Sequence, residues 1–183
     1  MTDKPIYRVR VQLPAVPGHD LTRMSGIVRF SLHALDRFES RPGFRVSMDH
    51  WHSKGVNSRV PYAHPDYNKP FCYACLGGAT VLELAGVDSP DHAFWSSTDR
   101  THELMRLGQW AGVGSSDVAT LERALDAVRE GDVLRAMDFL GVDPAGWIED
   151  WRSGVTIADY HFHPALFKEN LLQLAADLEK LGY

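Results

Sequence analysis

The C-terminal part of the chain has the most regular apolar spacing in the sequence, and this spacing constrains the fold more than any other feature. Apolar side chains recur there at intervals of three or four residues, at Phe167, Leu171, Leu174, Leu178 and Leu181. This period places them on one side of an α-helix, and a proline such as Pro164 is well tolerated in a first turn. The sequence therefore predicts a long amphipathic helix whose apolar side must be covered by other elements.

Similar spacing elsewhere predicts a helix-dominated α+β fold with about six helices in a single globular domain over residues 1–183. The other predicted helices run from Asp20 to Pro42, from Pro70 to Gly86, from about 98 to 110, through two stripes separated by Gly131, and after Asp143, where Trp147 and Trp151 lie one turn apart. We expect the two stripes to form a helical hairpin, with Asp132 as the cap of its second helix.

Two stretches of alternating apolar residues predict a small β element of two or three antiparallel strands. The first stretch comprises Tyr7, Val9, Val11 and Leu13, and the second comprises Phe44, Val46 and Met48. The segment from Ser53 to Pro70 has three prolines and no period. We therefore expect a long loop at 53–70, and loops of this length in compact domains are commonly functional.

Composition and hydropathy favour a cytoplasmic protein that does not enter a membrane. The chain is 44% apolar and 23% charged, as globular domains are. No apolar run approaches the ~20 residues needed to span a bilayer, and the N-terminus has no signal-peptide pattern. Two cysteines cannot form an extensive disulfide framework, which agrees with a reducing compartment.

Acidic residues are concentrated in the second part of the chain. Up to Pro70 there are 11 basic and 6 acidic residues, whereas from Phe71 onward there are 8 basic and 18 acidic residues. We interpret acids such as Asp126, Glu130 and Asp132 as the solvated side of helices. Glu122, Asp126 and Glu130 form an alternative contact surface for a partner.

One possible zinc site combines the segment Asp49-His50-Trp51-His52 with Cys72 and Cys75. Residues two apart in an extended strand share a face, so His50 and His52 would point the same way. Two imidazoles and two thiolates are a common tetrahedral zinc set. Because free cysteines are usually small buried residues, we expect no cofactor and keep zinc as the alternative.

An alternative catalytic site would use Cys72 as a nucleophile. The predicted helix starting at Pro70 would put this thiol near a helix N-terminus, where its pKa is lowered. His161 could then act as the base, with Asp159 or Asn170 orienting it. The sequence contains no catalytic signature around Cys72, so we expect no catalytic residues and keep this cysteine-dependent hydrolase as an alternative.

The loop at 53–70 is the predicted partner-binding surface. It interleaves basic and aromatic residues: Lys54, Arg59, Tyr62, Tyr67 and Lys69. Tyrosines on a proline-stiffened loop are typical interface anchors. Three basic residues are too few to predict direct nucleic-acid binding.

The residues between Phe44 and Ala79 resemble a pattern found in small uncharacterised phage and prophage accessory proteins. The pattern is Phe44-x-x-x-Met48-x-x-Trp51 followed by Cys72-x-x-Cys75-Leu76-Gly77-Gly78-Ala79. The resemblance implies a phage accessory factor in the host cytoplasm, a context in which inhibitors of host defences such as anti-CRISPR proteins are frequent. We therefore expect a non-catalytic interaction protein that binds a host protein or a protein–nucleic-acid complex, and we keep the hydrolase and a zinc-stabilised binding module as alternatives.

Overall fold

Six helices and three short strands make up the part of the chain that the structure describes. This computed structural model describes residues 6–49, 51–56, 63, 70–90, 100–144 and 156–183, and at 52–56, 70 and 100–104 it describes the backbone. The helices are α1 (Met24–Ser40), α2 (Leu76–Leu84), α3 (Arg100–Ala111), α4 (Ser115–Arg129), α5 (Val133–Leu140) and α6 (Pro164–Leu181). The strands are β1 (Phe44–Val46), β2 (His52–Val56) and β3 (Pro70–Ala74). The prediction of a helix-dominated α+β fold is confirmed.

The three strands form a sheet in the order β1-β3-β2. β1 and β3 run parallel, with Phe44 opposite Cys72, whereas β2 and β3 run antiparallel, with Lys54 opposite the same Cys72. The prediction of an antiparallel β element is therefore wrong. It failed because β3, which pairs with both other strands, comes from residues that the sequence assigned to a helix.

The predicted start of a helix at Pro70 is also wrong, since residues 70–74 form β3 and α2 begins at Leu76. Cys72 and Ala74 are fully buried on one face of this strand, while the rings of Phe71 and Tyr73 on the other face meet edge to face at 4.7 Å. Aromatic residues favour strands. A continuous apolar run fits both a buried strand and a buried helix, so its period cannot separate the two.

The predicted N-terminal strand is absent from the described sheet, although its residues are extended and partly buried. Its backbone donors bind the ends of three different elements: Tyr7 N donates to Gly182 O (2.9 Å), Val9 N to Thr22 O (2.9 Å) and Arg10 N to Leu140 O (2.8 Å). The alternating pattern is thus explained by an extended segment that packs on the core without joining the sheet.

Helix α1 packs against other helices and also against the sheet. It packs against α6, α2 and β1, while α2 packs against α4, and α4 against both α3 and α5. Residues that are almost completely buried in this core include Met24, Ile27, Leu35, Leu76, Leu82, Leu107, Leu121, Leu125, Met137 and Phe167. The α4–α5 hairpin is confirmed, as is the cap of α5, where the Asp132 side chain accepts a hydrogen bond from Arg135 N (3.1 Å).

The residues of the phage-like pattern pack together around the start of α2. A Cβ atom on Gly78 would lie 1.7 Å from the carbonyl oxygen of Trp51, and the Cys75 thiol lies 3.9 Å from that same oxygen. A Cβ on Gly77 would lie 3.2 Å from Glu122 Cα on α4. Glycine at these two positions lets both neighbours approach α2 closely, so the pattern describes how the sheet region and α4 pack on this helix.

Other parts of the predictions are confirmed or lie outside the described residues. Helix α6 is confirmed with Pro164 in its first turn, and α3 is confirmed at 100–111. Helix α1 begins at Met24 and not at Asp20, because the Asp20 side chain accepts hydrogen bonds from Thr22 in a turn before the helix.

The first residues of the predicted loop at 53–70 belong to β2, and the short helix with Trp147 and Trp151 lies outside the described residues. None of the described helices combines the length and apolar character needed to cross a bilayer.

Candidate functional site

A cleft of about 220 Å³ lies where the turn before α6 meets the end of α4 and the connection after β1. It is lined by Met48, Asp49, Arg129, Glu130, Ile157, Ala158, Asp159, Tyr160, His161 and Phe167. Two residues that the sequence singled out for catalysis, Asp159 and His161, therefore share one cleft with Asp49.

The turn at 157–161 is held by side chains that bind its backbone. Asp159 Oδ1 accepts a hydrogen bond from His161 N (2.8 Å), and Asn170 Oδ1 accepts one from Ala158 N (3.0 Å). Both residues were predicted to orient the His161 ring. The structure instead places their hydrogen bonds on the main chain, where they fix the path of the turn.

The ring of His161 lies next to Asp49, with 3.5 Å between Nε2 and Oδ2. The two side chains are 40% and 77% exposed, respectively. A pair this accessible to solvent contributes little to folding stability, and both side chains are exposed enough for a ligand to reach them. The sequence had named Asp49 within the zinc segment but gave no reason to pair it with a residue 112 positions away.

A charged network behind the cleft connects the turn to α1 and α6. The Tyr160 hydroxyl donates a hydrogen bond to Glu39, and Lys168 Nζ contacts Asp36 (2.7 Å) and Glu39 (2.5 Å). Burial raises the pKa of Tyr160 well above its usual range, and the hydrogen bond to Glu39 acts in the same direction. Burial lowers the pKa of Lys168, but its bonds to Asp36 and Glu39 outweigh burial and raise it. This network gives one wall of the cleft a fixed support.

The two cysteines are placed differently from what the hydrolase alternative requires. Cys72 is fully buried in β3, so the helix N-terminus that was predicted to activate it is not next to it. Cys75 occupies the N-cap of α2 and is 4% exposed. Burial raises the pKa of the Cys75 thiol despite opposing hydrogen bonds from Gly78 N and Gly77 N. The structure therefore brings His161 and Asp159 to the cleft without a cysteine nucleophile beside them.

The zinc alternative remains a prediction. His50 lies outside the described residues, and at His52 the structure describes only the backbone of β2. Among the described side chains, no three histidine, cysteine, aspartate or glutamate residues come together in a way that could hold a metal ion.

The predicted partner-binding loop is also largely untested. Arg59, Tyr62, Tyr67 and Lys69 lie outside the described residues, and Lys54 is described by its backbone, opposite Cys72 in the sheet. The role of these residues in partner binding stays a prediction from the sequence.

The alternative acidic surface differs from its prediction. Glu122 is buried (8% exposed) and faces α2, where it limits the space at Gly77. Asp126 Oδ1 accepts two hydrogen bonds from Arg129, and Glu130 lies 3.3 Å from Arg129 and 3.9 Å from Arg135. The carboxylates on the outer side of α4 are thus compensated by neighbouring arginines, and the acidity of the sequence does not become an exposed acidic patch here.

Sequence reasoning missed the exposed apolar residues at the start of α6. Phe162 is 77% exposed and Leu166 is 46% exposed, although both are large apolar side chains. The available signal was their position: they lie out of step with the buried series from Phe167 to Leu178, and four residues apart from each other.

No protein family, curated protein or solved structure matches this chain. The site is therefore interpreted from its own residues, and these combine an exposed apolar segment with a polar cleft beside it.

Proposed function

We propose that this chain is a non-catalytic interaction protein, a phage-derived accessory factor that binds a host protein or a protein–nucleic-acid complex, for example one belonging to a defence system. The observation that carries the proposal is the 77% exposure of Phe162, which directly follows the cleft residue His161. The phage origin is supported by the resemblance of the Phe44–Ala79 pattern alone.

An exposed phenylalanine is a favourable anchor for a partner. Burying such a side chain stabilises a complex by roughly 1.5–3 kcal/mol relative to leaving it in water. Leu166, in the first turn of α6, is a second exposed apolar side chain four residues further along the chain. The flanking His161 and His163 are exposed polar residues. An apolar centre with a polar rim is the usual composition of a protein interface.

The adjacent cleft suggests what the partner presents. Asp49 and Asp159 contribute carboxylates to its lining, whereas the Arg129 guanidinium in the lining is already engaged by Asp126 and Glu130. This charge balance favours a basic group. We therefore propose a partner surface with an apolar side chain that covers Phe162 and a nearby Lys or Arg that enters the cleft.

The interaction function is better supported than the hydrolase alternative. A cysteine hydrolase needs an accessible thiolate next to its histidine. Cys72 is buried in β3, and burial raises the pKa of Cys75, so neither described thiol has the environment of a nucleophile.

The proposal is tested by affinity capture with purified full-length chain as bait. Wild type, Phe162→Ala/Leu166→Ala and Tyr62→Ala/Tyr67→Ala are compared in the same bacterial lysate. Leu172→Ala is the matched control, because Leu172 is also an exposed leucine of α6, at 49%. We expect one protein to be enriched by wild type and by the control, and lost with Phe162→Ala/Leu166→Ala. With that protein purified, the double substitution should weaken binding by about 30-fold or more, as removal of an interface anchor does.

The comparison requires equal melting temperatures of all variants, because an unfolded variant would also lose the partner. Phe162, Leu166 and Leu172 are exposed, and replacing exposed residues changes stability little. If only the tyrosine variant loses the partner, the interaction function stands and the loop at 53–70 is its surface. If wild type enriches no protein above the level of an unrelated bait, the interaction function is wrong.

A further inference from the structure

His19 and His33 form a pair at α1, and neither residue lines the cleft. Their ring centroids are 5.3 Å apart and their planes are inclined by 41°. His19 lies in the turn closed by the hydrogen bond from its own N to Val16 O (3.0 Å), and His33 lies on α1. The two rings therefore connect a loop to a helix, and the sequence separation of 14 residues gave no sign of the pairing.

The position of the rings is fixed by an aromatic neighbour. Phe30 contacts the His19 ring edge to face, at 5.2 Å and 70°, and lies 6.3 Å from the His33 ring. Phe30 is itself buried (2% exposed), so both histidine rings pack against a side chain that is held in the core. His33 is exposed and His19 is half-buried, which leaves the pair accessible from solvent.

We propose that His19 and His33 together bind one divalent transition-metal ion of the class that prefers imidazole, such as Zn²⁺. A zinc–nitrogen bond is about 2.0–2.1 Å, which places each ring centroid about 3.2 Å from the metal. At a tetrahedral angle, two such centroids are about 5.2 Å apart. The observed centroid separation of 5.3 Å is close to this value.

The surroundings of the pair leave the imidazoles available. The charged residues one turn away on α1 are engaged elsewhere: Arg29 with Glu179 (2.7 Å), Asp36 with Lys168 (2.7 Å) and Arg37 with Glu83 (3.0 Å). Next to His19, Asp20 accepts hydrogen bonds from Thr22. Burial, and secondarily His33, lowers the pKa of His19, and the neutral imidazole is the form that binds a metal. Water completes the coordination, so the site is weaker than a site with four protein ligands. The bound metal links the loop at 16–19 to α1.

The test is calorimetric titration of the tag-free full chain with ZnCl₂ at pH 7.5, combined with NMR of the imidazole protons. We expect one Zn²⁺ per chain, with His19 and His33 resonances shifting together. His33→Ala and His19→Ala should each weaken binding by about tenfold or more, since even outer-shell changes cost that much affinity. Zinc should raise the melting temperature of wild type and leave that of His33→Ala unchanged. His33 is exposed, so this variant keeps the fold.

Two control variants make the result decisive. His161→Ala/His163→Ala removes two exposed histidines from another surface and should bind zinc as wild type does. His50→Ala/His52→Ala removes half of the zinc set predicted from sequence and should do the same. If zinc binding survives in His19→Ala and His33→Ala, or is lost only with His50→Ala/His52→Ala, the proposed site is wrong. Equal weak binding by every variant would show only adventitious binding and would also overturn it.

Discussion

The Trp51 carbonyl oxygen lies so close to Gly78 that a Cβ atom at position 78 would be 1.7 Å from it. No side chain fits in that space, and the obstructing atom belongs to the backbone, so it cannot rotate away. The segment before β2 can therefore pack on α2 only if residue 78 is a glycine.

Gly78→Ala should destabilise the protein by about 2–3 kcal/mol or more, because the clash exceeds ordinary overpacking. Gly77→Ala is the matched control in the same helical turn. Its Cβ would lie 3.2 Å from Glu122 Cα, a tight contact that the gain of about 1 kcal/mol in helix propensity partly offsets. Urea denaturation measures both. Equal unfolding free energies for the two variants would contradict the role assigned to Gly78.

The same neighbourhood shows how far the sequence could predict the fold. Helices with one apolar side, such as α4 and α6, were predictable because their period is regular and their ends carry Gly131 or Pro164. Strand β3 was not, because residues 70–84 are apolar on all sides and carry no period that separates strand from helix. The parallel pairing of β1 with β3 could not be predicted either, because β3 lies in that misassigned segment.

The cleft was less predictable than the fold. Asp159 and His161 were identified as a polar pair, but the contact of His161 with Asp49 depends on how α6 packs beside the β1 end. Glu122 shows the opposite error: its charge suggested solvent exposure, whereas the close α2–α4 contact at Gly77 buries it. Long-range packing decides both cases, and local sequence period contains no information about it.

The two thiols should be inert in the folded protein. Cys72 is 0% exposed and Cys75 is 4% exposed, and burial raises the pKa of the Cys75 thiol. Iodoacetamide at pH 8 should therefore modify neither cysteine until urea unfolds the chain, as mass spectrometry of tryptic peptides would show. Rapid modification of Cys72 alone in the native protein would instead revive the hydrolase alternative.

Tyr160 should make the protein sensitive to alkaline pH. Its pKa is raised in the folded state, so near pH 10 the unfolded chain loses this proton while the folded chain keeps it. The resulting stability is complete below about pH 10 and decreases as the pH rises above that value. Denaturation of wild type and Tyr160→Phe between pH 8 and about pH 11 measures the effect.

We expect the slope of stability against pH above pH 10 to be shallower in Tyr160→Phe. At pH 7 the variant should lose about 1 kcal/mol, the contribution of the hydrogen bond to Glu39. Lys168→Met is the companion variant, because it removes the other partner of Glu39 and leaves the tyrosine in place. Identical slopes in wild type and Tyr160→Phe would show that Tyr160 ionises normally in the fold.

The outer side of α4 offers the sharpest test of whether its acids serve stability or binding. Asp126 Oδ1 accepts hydrogen bonds from both Nε (3.0 Å) and Nη2 (2.8 Å) of Arg129, whereas Glu130 approaches the same guanidinium at 3.3 Å. Arg129 is partly buried and lines the cleft. Asp126→Asn should therefore cost about 1 kcal/mol of stability, and Glu130→Gln less than ~0.5 kcal/mol.

Neither change should alter partner capture at low or high salt, because these carboxylates already have their counter-charges. If Asp126→Asn leaves stability unchanged but weakens capture in a salt-dependent way, the acidic side of α4 is a contact surface and Phe162 is not the principal anchor.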